Sequence, residues 1–265
     1  MKARINGVDI AYDDHGIGYP IIFLHGFPLN RNMWAGQISA LLSAQRYRLV
    51  APDWRGLGDS ELPGDISTME MLADDLAGLM DHLGMQQAVL CGLSMGGYAA
   101  FAFLRKYAQR VGGLILADTR PQADTEDRKI NREKVAQLAL EQGSEAIADL
   151  QIPGLLTNDT LQHRSEVVIR VRQMINTASP SGIAAASRGM ACRDDSTDLL
   201  ATITCPTLVI VGEHDTLTPP GIARNYADAI PGANFALIPQ AGHLSNLEQP
   251  EAFLEAIRTF LLTSF

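Results

Sequence analysis

The stretch Ala88-Val89-Leu90-Cys91-Gly92-Leu93-Ser94-Met95-Gly96-Gly97-Tyr98-Ala99-Ala100-Phe101 decides the fold. It opens as a continuous apolar run of strand length and closes as an apolar run of helical character. Between them lies Gly92-Leu93-Ser94-Met95-Gly96, a G-x-S-x-G pentapeptide in a strand–turn–helix context. The strand and helix backbones close on each other at such a bend, so neither glycine position has room for a Cβ. The central serine is held on a strained turn with its hydroxyl exposed above the sheet.

Similar short apolar runs recur on both sides. They are Pro20-Ile21-Ile22-Phe23-Leu24, Leu49-Val50, Leu114-Ile115-Leu116 and Leu208-Val209-Ile210-Val211, and Phe235-Ala236-Leu237-Ile238 follows as the last strand. Unbroken runs of this length suit strands buried on both faces, as in a parallel sheet. Residues 1–14 read as a hairpin turning at Asn6-Gly7. Helical periodicity covers Thr68 to Leu83, with Ser67 or Thr68 as N-cap, then Gly97 to Tyr107, and Pro250 to Leu262 with proline near its start. Strands alternating with helices predict an α/β domain with a mostly parallel sheet. One segment breaks the alternation. From about 120 to 197 no strand-like run occurs and helical patterns dominate, between polar stretches at Pro121–Lys129 and Cys192–Thr197. Residues 120–197 therefore read as a helical cap, or lid, inserted into a core made of 1–119 and 198–265.

The composition narrows the function classes. A net charge of −9 argues against nucleic acid and anionic membrane as partners. Three cysteines, Cys91, Cys192 and Cys205, lie far apart with no C-x-x-C spacing, so neither a disulfide framework nor a metal site is expected. No apolar stretch approaches the ~20 residues that span a bilayer. The start, Met1-Lys2-Ala3-Arg4-Ile5-Asn6-Gly7, lacks the apolar centre of a signal peptide, so a cytoplasmic location is expected.

A serine hydroxyl is a weak nucleophile at neutral pH and needs a general base, which in turn needs an orienting acid. Of the six histidines, His243 stands out. It follows the last strand-like run in Gln240-Ala241-Gly242-His243, at the carboxyl edge where α/β sites form. His15, His82 and His163 fall in a hairpin, a helix and the insertion and read as structural, as does His25; His214 reads as a turn residue. Asp215, in Gly212-Glu213-His214-Asp215 just beyond the Leu208–Val211 run, is the expected acid, with Asp118 and Glu213 as rivals. A developing oxyanion needs backbone donors. Met95 supplies one N–H at a helix N-terminus. Phe27, in His25-Gly26-Phe27-Pro28, supplies the other, since Pro28 has none to give.

These pieces, with Asp53-Trp54-Arg55-Gly56-Leu57-Gly58-Asp59-Ser60 and Ala241-Gly242-His243, occur together in an order that resembles α/β-hydrolase-fold serine hydrolases. Within that family, Gly242-His243-Leu244-Ser245-Asn246-Leu247-Glu248-Gln249-Pro250 resembles 3-oxoadipate enol-lactonases, small carboxylesterases and cofactor-free haloperoxidase or perhydrolase members, whereas Ala117-Asp118-Thr119-Arg120 departs from the enol-lactonase pattern. The resemblance implies a mostly parallel eight-stranded sheet flanked by helices and a catalytic set of Ser94, Asp215 and His243. It further implies a small-molecule ester or lactone as substrate and no cofactor. The same residues also serve perhydrolysis and C–C bond hydrolysis, and a slow-turnover ligand receptor shares the fold. Phe27, Trp34 and Tyr98 are candidates to line the pocket.

Overall fold

The computed structural model describes residues 1–265. A tight turn at Asn6-Gly7, with φ of 48° and 79°, joins β1 (Lys2–Ile5) to β2 (Val8–Gly16). Both residues take positive φ, as the expected Asn-Gly hairpin turn requires. The apolar runs become β3 (Tyr19–Leu24), β4 (Tyr47–Pro52), β5 (Ala88–Leu93), β6 (Val111–Ala117), β7 (Thr207–Gly212) and β8 (Asn234–Ile238). The sheet order is β1-β2-β4-β3-β5-β6-β7-β8. Strand β2 pairs antiparallel with β1 and β4, and every other pairing is parallel. Central strands β5 and β7 are buried along their whole length, which is why they read as unbroken apolar runs.

Helices α1 (Ala35–Leu42), α2 (Met69–His82), α3 (Met95–Tyr107), α8 (Pro220–Asp228) and α10 (Pro250–Ser264) flank the sheet, with a short α9 (Ser245–Glu248) leading into α10. Thr68 caps α2, its side chain accepting the Met71 N–H. Helix α3 begins two residues before the expected Gly97, because Ser94 itself is the turn. Helices α1 and α8 escape the periodicity reading; both are short, and Gly36 and Gly221 weaken their patterns.

Between β6 and β7 lie four helices and no strand: α4 (Glu126–Leu155), α5 (Asn158–His163), α6 (Ser165–Thr177) and α7 (Pro180–Ala191). Helix α4 is broken at Gly143, whose φ is 82°. Its two halves pack on α6 and α7. The group of helices is seated firmly on the sheet domain. The Ser67 N–H donates to the Ala185 carbonyl at 3.0 Å, Asn30 donates to the Thr177 hydroxyl at 3.0 Å, and Arg170 donates to the Asn32 carbonyl at 2.8 Å. Helix α7 approaches so closely that a Cβ on Gly189 would lie 1.8 Å from the Ser67 carbonyl oxygen. No helix is long and apolar enough to cross a membrane.

Gly189→Ala should therefore push α7 off its seat. Overpacking of this kind costs about 1–3 kcal/mol, which corresponds to a melting point several degrees lower at roughly 2–4 °C per kcal/mol. Gly36→Ala, on an exposed face of α1 with nothing within 4 Å of the added methyl, should melt at or slightly above wild type. Differential scanning fluorimetry of both variants checks the contrast.

Candidate active site

Ser94 stands alone between the end of β5 and the start of α3, with φ 54° and ψ −114°. That is a sparsely populated conformation for a residue with a Cβ. Surrounding bonds impose it. The Ser94 N–H donates to the Ala117 carbonyl at 3.0 Å. The Ser94 carbonyl accepts the N–H groups of Gly97 and Tyr98 at 2.9 and 3.2 Å and the Thr119 hydroxyl at 2.8 Å. Close approach does the rest: a Cβ on Gly92 would lie 2.4 Å from the Gly96 carbonyl oxygen, and one on Gly96 would lie 2.1 Å from that of Leu24.

The loops leaving β7 and β8 bring two more side chains to this turn. His243 Nε2 lies 2.8 Å from Ser94 Oγ, and His243 Nδ1 lies 2.9 Å from Asp215 Oδ2. Asp215 Oδ1 accepts the N–H groups of Leu217 and Thr218 at 2.8 and 3.0 Å, and Oδ2 also accepts the Thr218 hydroxyl. The three residues expected from sequence thus form one continuous chain of hydrogen bonds. Burial alone would raise the Asp215 carboxyl, but the His243 ring and the Thr218 donors outweigh it and bring the group down to about 2. Burial alone would likewise lower the His243 imidazole, but the charge and hydrogen bond of Asp215, with Asp118 behind it, raise it to about 9.

The two rival acids lie elsewhere. Asp118 ends β6 and is fully buried, with Oδ1 accepting the Gly212 N–H at 2.8 Å and Oδ2 bonded to the Ser245 hydroxyl; it makes no bond to His243. Burial, and then the neighbouring Asp215 charge, hold its carboxyl well above the usual carboxylate range. Glu213 is exposed and accepts the Gln240 N–H at 2.9 Å. The remaining histidines keep to structural places. His25 Nε2 accepts the Trp54 N–H and the His25 carbonyl accepts the indole N–H, both at 3.0 Å, tying the ends of β3 and β4 together. Burial lowers the His25 ring, in keeping with a neutral acceptor. His163 pairs with Asp159 on an exposed helix, His82 contacts Tyr12, and His15 and His214 are exposed.

The loop after β3 passes directly beside the turn, since a Cβ on Gly26 would lie 3.4 Å from the Ser94 Cβ. The next N–H, that of Phe27, donates to no group within the chain. Met95 is the first residue of α3, so its N–H has no acceptor one turn earlier in the helix. In the segment at 53–60, buried Asp53 accepts the N–H groups of Arg31 and Asp59 at 2.7 and 2.9 Å and pairs with the Arg31 guanidinium.

Ser94 and His243 open onto a cavity of about 260 Å³, lined also by Val135, Leu155 and Met190 from the helices between β6 and β7. Phe27 and Tyr98 line it. Trp34 does not: it is fully buried between Phe23 and Phe253, with ring centroids 5.3 and 6.1 Å away. Two supports lay outside the sequence reading. Thr218 holds the acid, and buried Glu248 accepts the Gly242 N–H at 2.6 Å and both the N–H and hydroxyl of Thr157 at 2.8 Å. Glu248 thereby fastens the His243 loop to the α4–α5 junction. Its only signal in the sequence is a carboxylate in an otherwise uncharged stretch close after His243.

Comparison with known proteins agrees with this fold. The chain is similar to a thermophilic esterase from Thermogutta terrifontis, solved with malate bound, at 46% identity and a TM-score of 0.95 over 100% of this chain and 98% of that one. It is similar to the enol-lactonase from Burkholderia xenovorans LB400 at 30% identity and 0.92, over 99% and 100% of the two chains. A bromoperoxidase from Bacillus anthracis shares 27% identity with a TM-score of 0.89, over 98% and 99%. Residues 19–250 match the model of the α/β-hydrolase fold. With that match spanning most of its length, and with the sheet, turn and loops in their places, the chain belongs to the α/β-hydrolase family.

Proposed function

We propose that this enzyme is a serine hydrolase that cleaves a carboxylic ester or lactone through an acyl-enzyme. The observation that carries the reading is the unbroken Ser94–His243–Asp215 hydrogen-bond chain opening onto a small cavity. His243 Nε2 takes the Ser94 proton as Oγ attacks the carbonyl carbon. The N–H groups of Phe27 and Met95 hold the oxyanion, the latter helped by the positive end of α3. Asp215 fixes the Nδ1–H tautomer and stabilises the imidazolium. His243 then gives the proton to the leaving oxygen, and an acyl-Ser94 ester remains. Water, deprotonated by His243, attacks that ester and releases the acid, and the proton returns to Ser94. For a lactone the leaving oxygen stays tethered to the acyl group, so ring opening and acylation are one event. Residues 120–197 act as a cap that keeps bulk water off the acyl-enzyme. The esterase and enol-lactonase neighbours support this class of substrate.

The bromoperoxidase neighbour favours a second reaction of the same acyl-enzyme. Hydrogen peroxide attacking in place of water releases a peracid instead of an acid. Bromide oxidation that requires both peroxide and a carboxylic acid, and that is lost in Ser94→Ala, tests it.

Hydrolysis of a panel of p-nitrophenyl esters and small lactones should be abolished in Ser94→Ala while the melting curve stays that of a folded protein. Undiminished turnover in that variant would refute the mechanism.

Asp215→Asn should lose roughly 10³–10⁴-fold in kcat, because the asparagine cannot hold the required imidazole tautomer. Asp118→Asn should retain far more activity, since Asp118 touches only Gly212 and Ser245. The reverse ranking would reassign the acid.

The pH dependence follows from His243. The active base is the neutral ring, and Asp215 raises its proton affinity, so kcat/KM for an uncharged ester should climb with pH through a midpoint near pH 9 and level off above it. Removing the carboxylate removes what stabilises the imidazolium. The limb should therefore move to lower pH in whatever activity Asp215→Asn retains.

A further inference from the structure

The cavity in front of Ser94 carries charge of one sign. Arg120, Arg128 and Arg132 line it, and no aspartate or glutamate does. This happens in a chain with 30 acidic and 21 basic side chains, so the cationic wall is local and opposes the overall charge. Arg132 is already engaged. It donates to buried Asp124 at 3.0 Å, and Arg193 pairs with the same carboxylate at 2.9 Å. Arg120 and Arg128 have no acidic partner. Arg120 gives one guanidinium N–H to the Leu217 carbonyl at 2.9 Å, while its buried Nε–H has no acceptor in the chain. The half-buried Arg128 side chain makes no hydrogen bond within the protein. Burial alone would raise the Tyr98 phenol, but Arg193, Arg132 and Arg120 outweigh it and hold it below its usual range.

Partly desolvated guanidinium groups without a counter-ion, facing the space in which a substrate must lie, call for an anion with two acceptor oxygens. Resting on the ester and lactone reading above, we propose that Arg120 and Arg128 form a carboxylate-recognition subsite. The natural substrate then bears a free carboxylate a few bonds from its scissile carbonyl, as in a monoester of a short dicarboxylic acid or a carboxylated lactone. The volume of about 260 Å³ limits it to a small molecule. The anion is fixed in the cavity by paired N–H donors, and the carbonyl is thereby presented to Ser94. The subsite acts in binding and orientation and takes no part in proton transfer.

The test compares charged and uncharged esters in matched pairs. Mono-p-nitrophenyl glutarate against p-nitrophenyl pentanoate places the carboxylate on the acyl side. 4-Acetoxybenzoate against p-tolyl acetate places it on the leaving-group side. The readout is the ratio of kcat/KM within each pair, which cancels any general loss of activity. In the Arg120→Gln/Arg128→Gln double variant, at least one ratio should fall tenfold or more relative to wild type. Isothermal titration of glutarate into the same proteins reads the subsite without turnover. Affinity that drops at least tenfold in the double variant upholds the subsite even if no ester is hydrolysed, an outcome that would refute only the hydrolase reading. Ester turnover that depends on Ser94 while both ratios and the glutarate affinity match wild type would overturn the subsite and leave the hydrolase reading standing.

Discussion

The conformation of Ser94 is the constraint on which the rest of the structure turns. A φ of 54° with ψ −114° is costly for serine, on the order of 1–3 kcal/mol. It persists because neighbours on the two flanking strands over-determine it. Ala117 and Thr119, at the end of β6, bond to both sides of its peptide. Leu24, at the end of β3, presses its carbonyl against Gly96. The parallel register of β3, β5 and β6 therefore fixes a single serine rotor at the sheet edge. The N–H groups of Met95 and Phe27 inherit their places from the same turn: Met95 is the next residue, and Gly26-Phe27 lies against the Ser94 Cβ.

The legibility of this chain follows the range of the interactions involved. The turn is local, so five consecutive residues announce it. Strands buried on both faces write unbroken apolar runs, and such runs marked β5, β6 and β7 along the chain. The acid was harder. Asp118 and Asp215 both follow strands, at the ends of neighbouring β6 and β7, and nothing local separates them. What separates them is orientation: Asp118 turns back to the Gly212 backbone, whereas the loop after β7 carries Asp215 forward to His243. Glu248 and Thr218 escaped notice because their value lies wholly in partners far along the chain or in one specific loop shape. Trp34 shows the converse error of proximity, since nearness to a motif in sequence put it in a pocket that packing between Phe23 and Phe253 denies it.

Electrostatically the site has two regions. Below the serine, Asp215 and Asp118 lie close together in a buried space with one imidazole between them and the cavity. Two carboxylates so placed repel each other's ionisation, and burial resolves the conflict by pushing Asp118 upward while hydrogen bonds from Thr218 and His243 pull Asp215 down. The asymmetry is useful. Only Asp215 bonds to His243, and Asp118 serves as a bridge between β7 and the loop that follows His243. Above the serine the charge is positive, and the single buried acid there, Asp124, is shared between Arg132 and Arg193.

The arginine wall was invisible in sequence for a reason that also bears on how the inserted helices work. Arg120 leaves the sheet beyond β6, Arg128 sits in the first turn of α4, and Leu217, which anchors Arg120, follows β7 almost a hundred residues later. The residues meet only because α7 rests on the Ser67 backbone and Glu248 fastens the α4–α5 junction to the His243 loop. Anchors of that kind hold the helices between β6 and β7 in one position against the sheet domain. Helices so held present their cations at constant distance from Ser94, which lets binding of a distant charge set the orientation of the reacting carbonyl. Selectivity in such a site resides in the inserted segment and reactivity in the sheet edge, so substitutions around Arg128 alter what is bound without altering how Ser94 reacts.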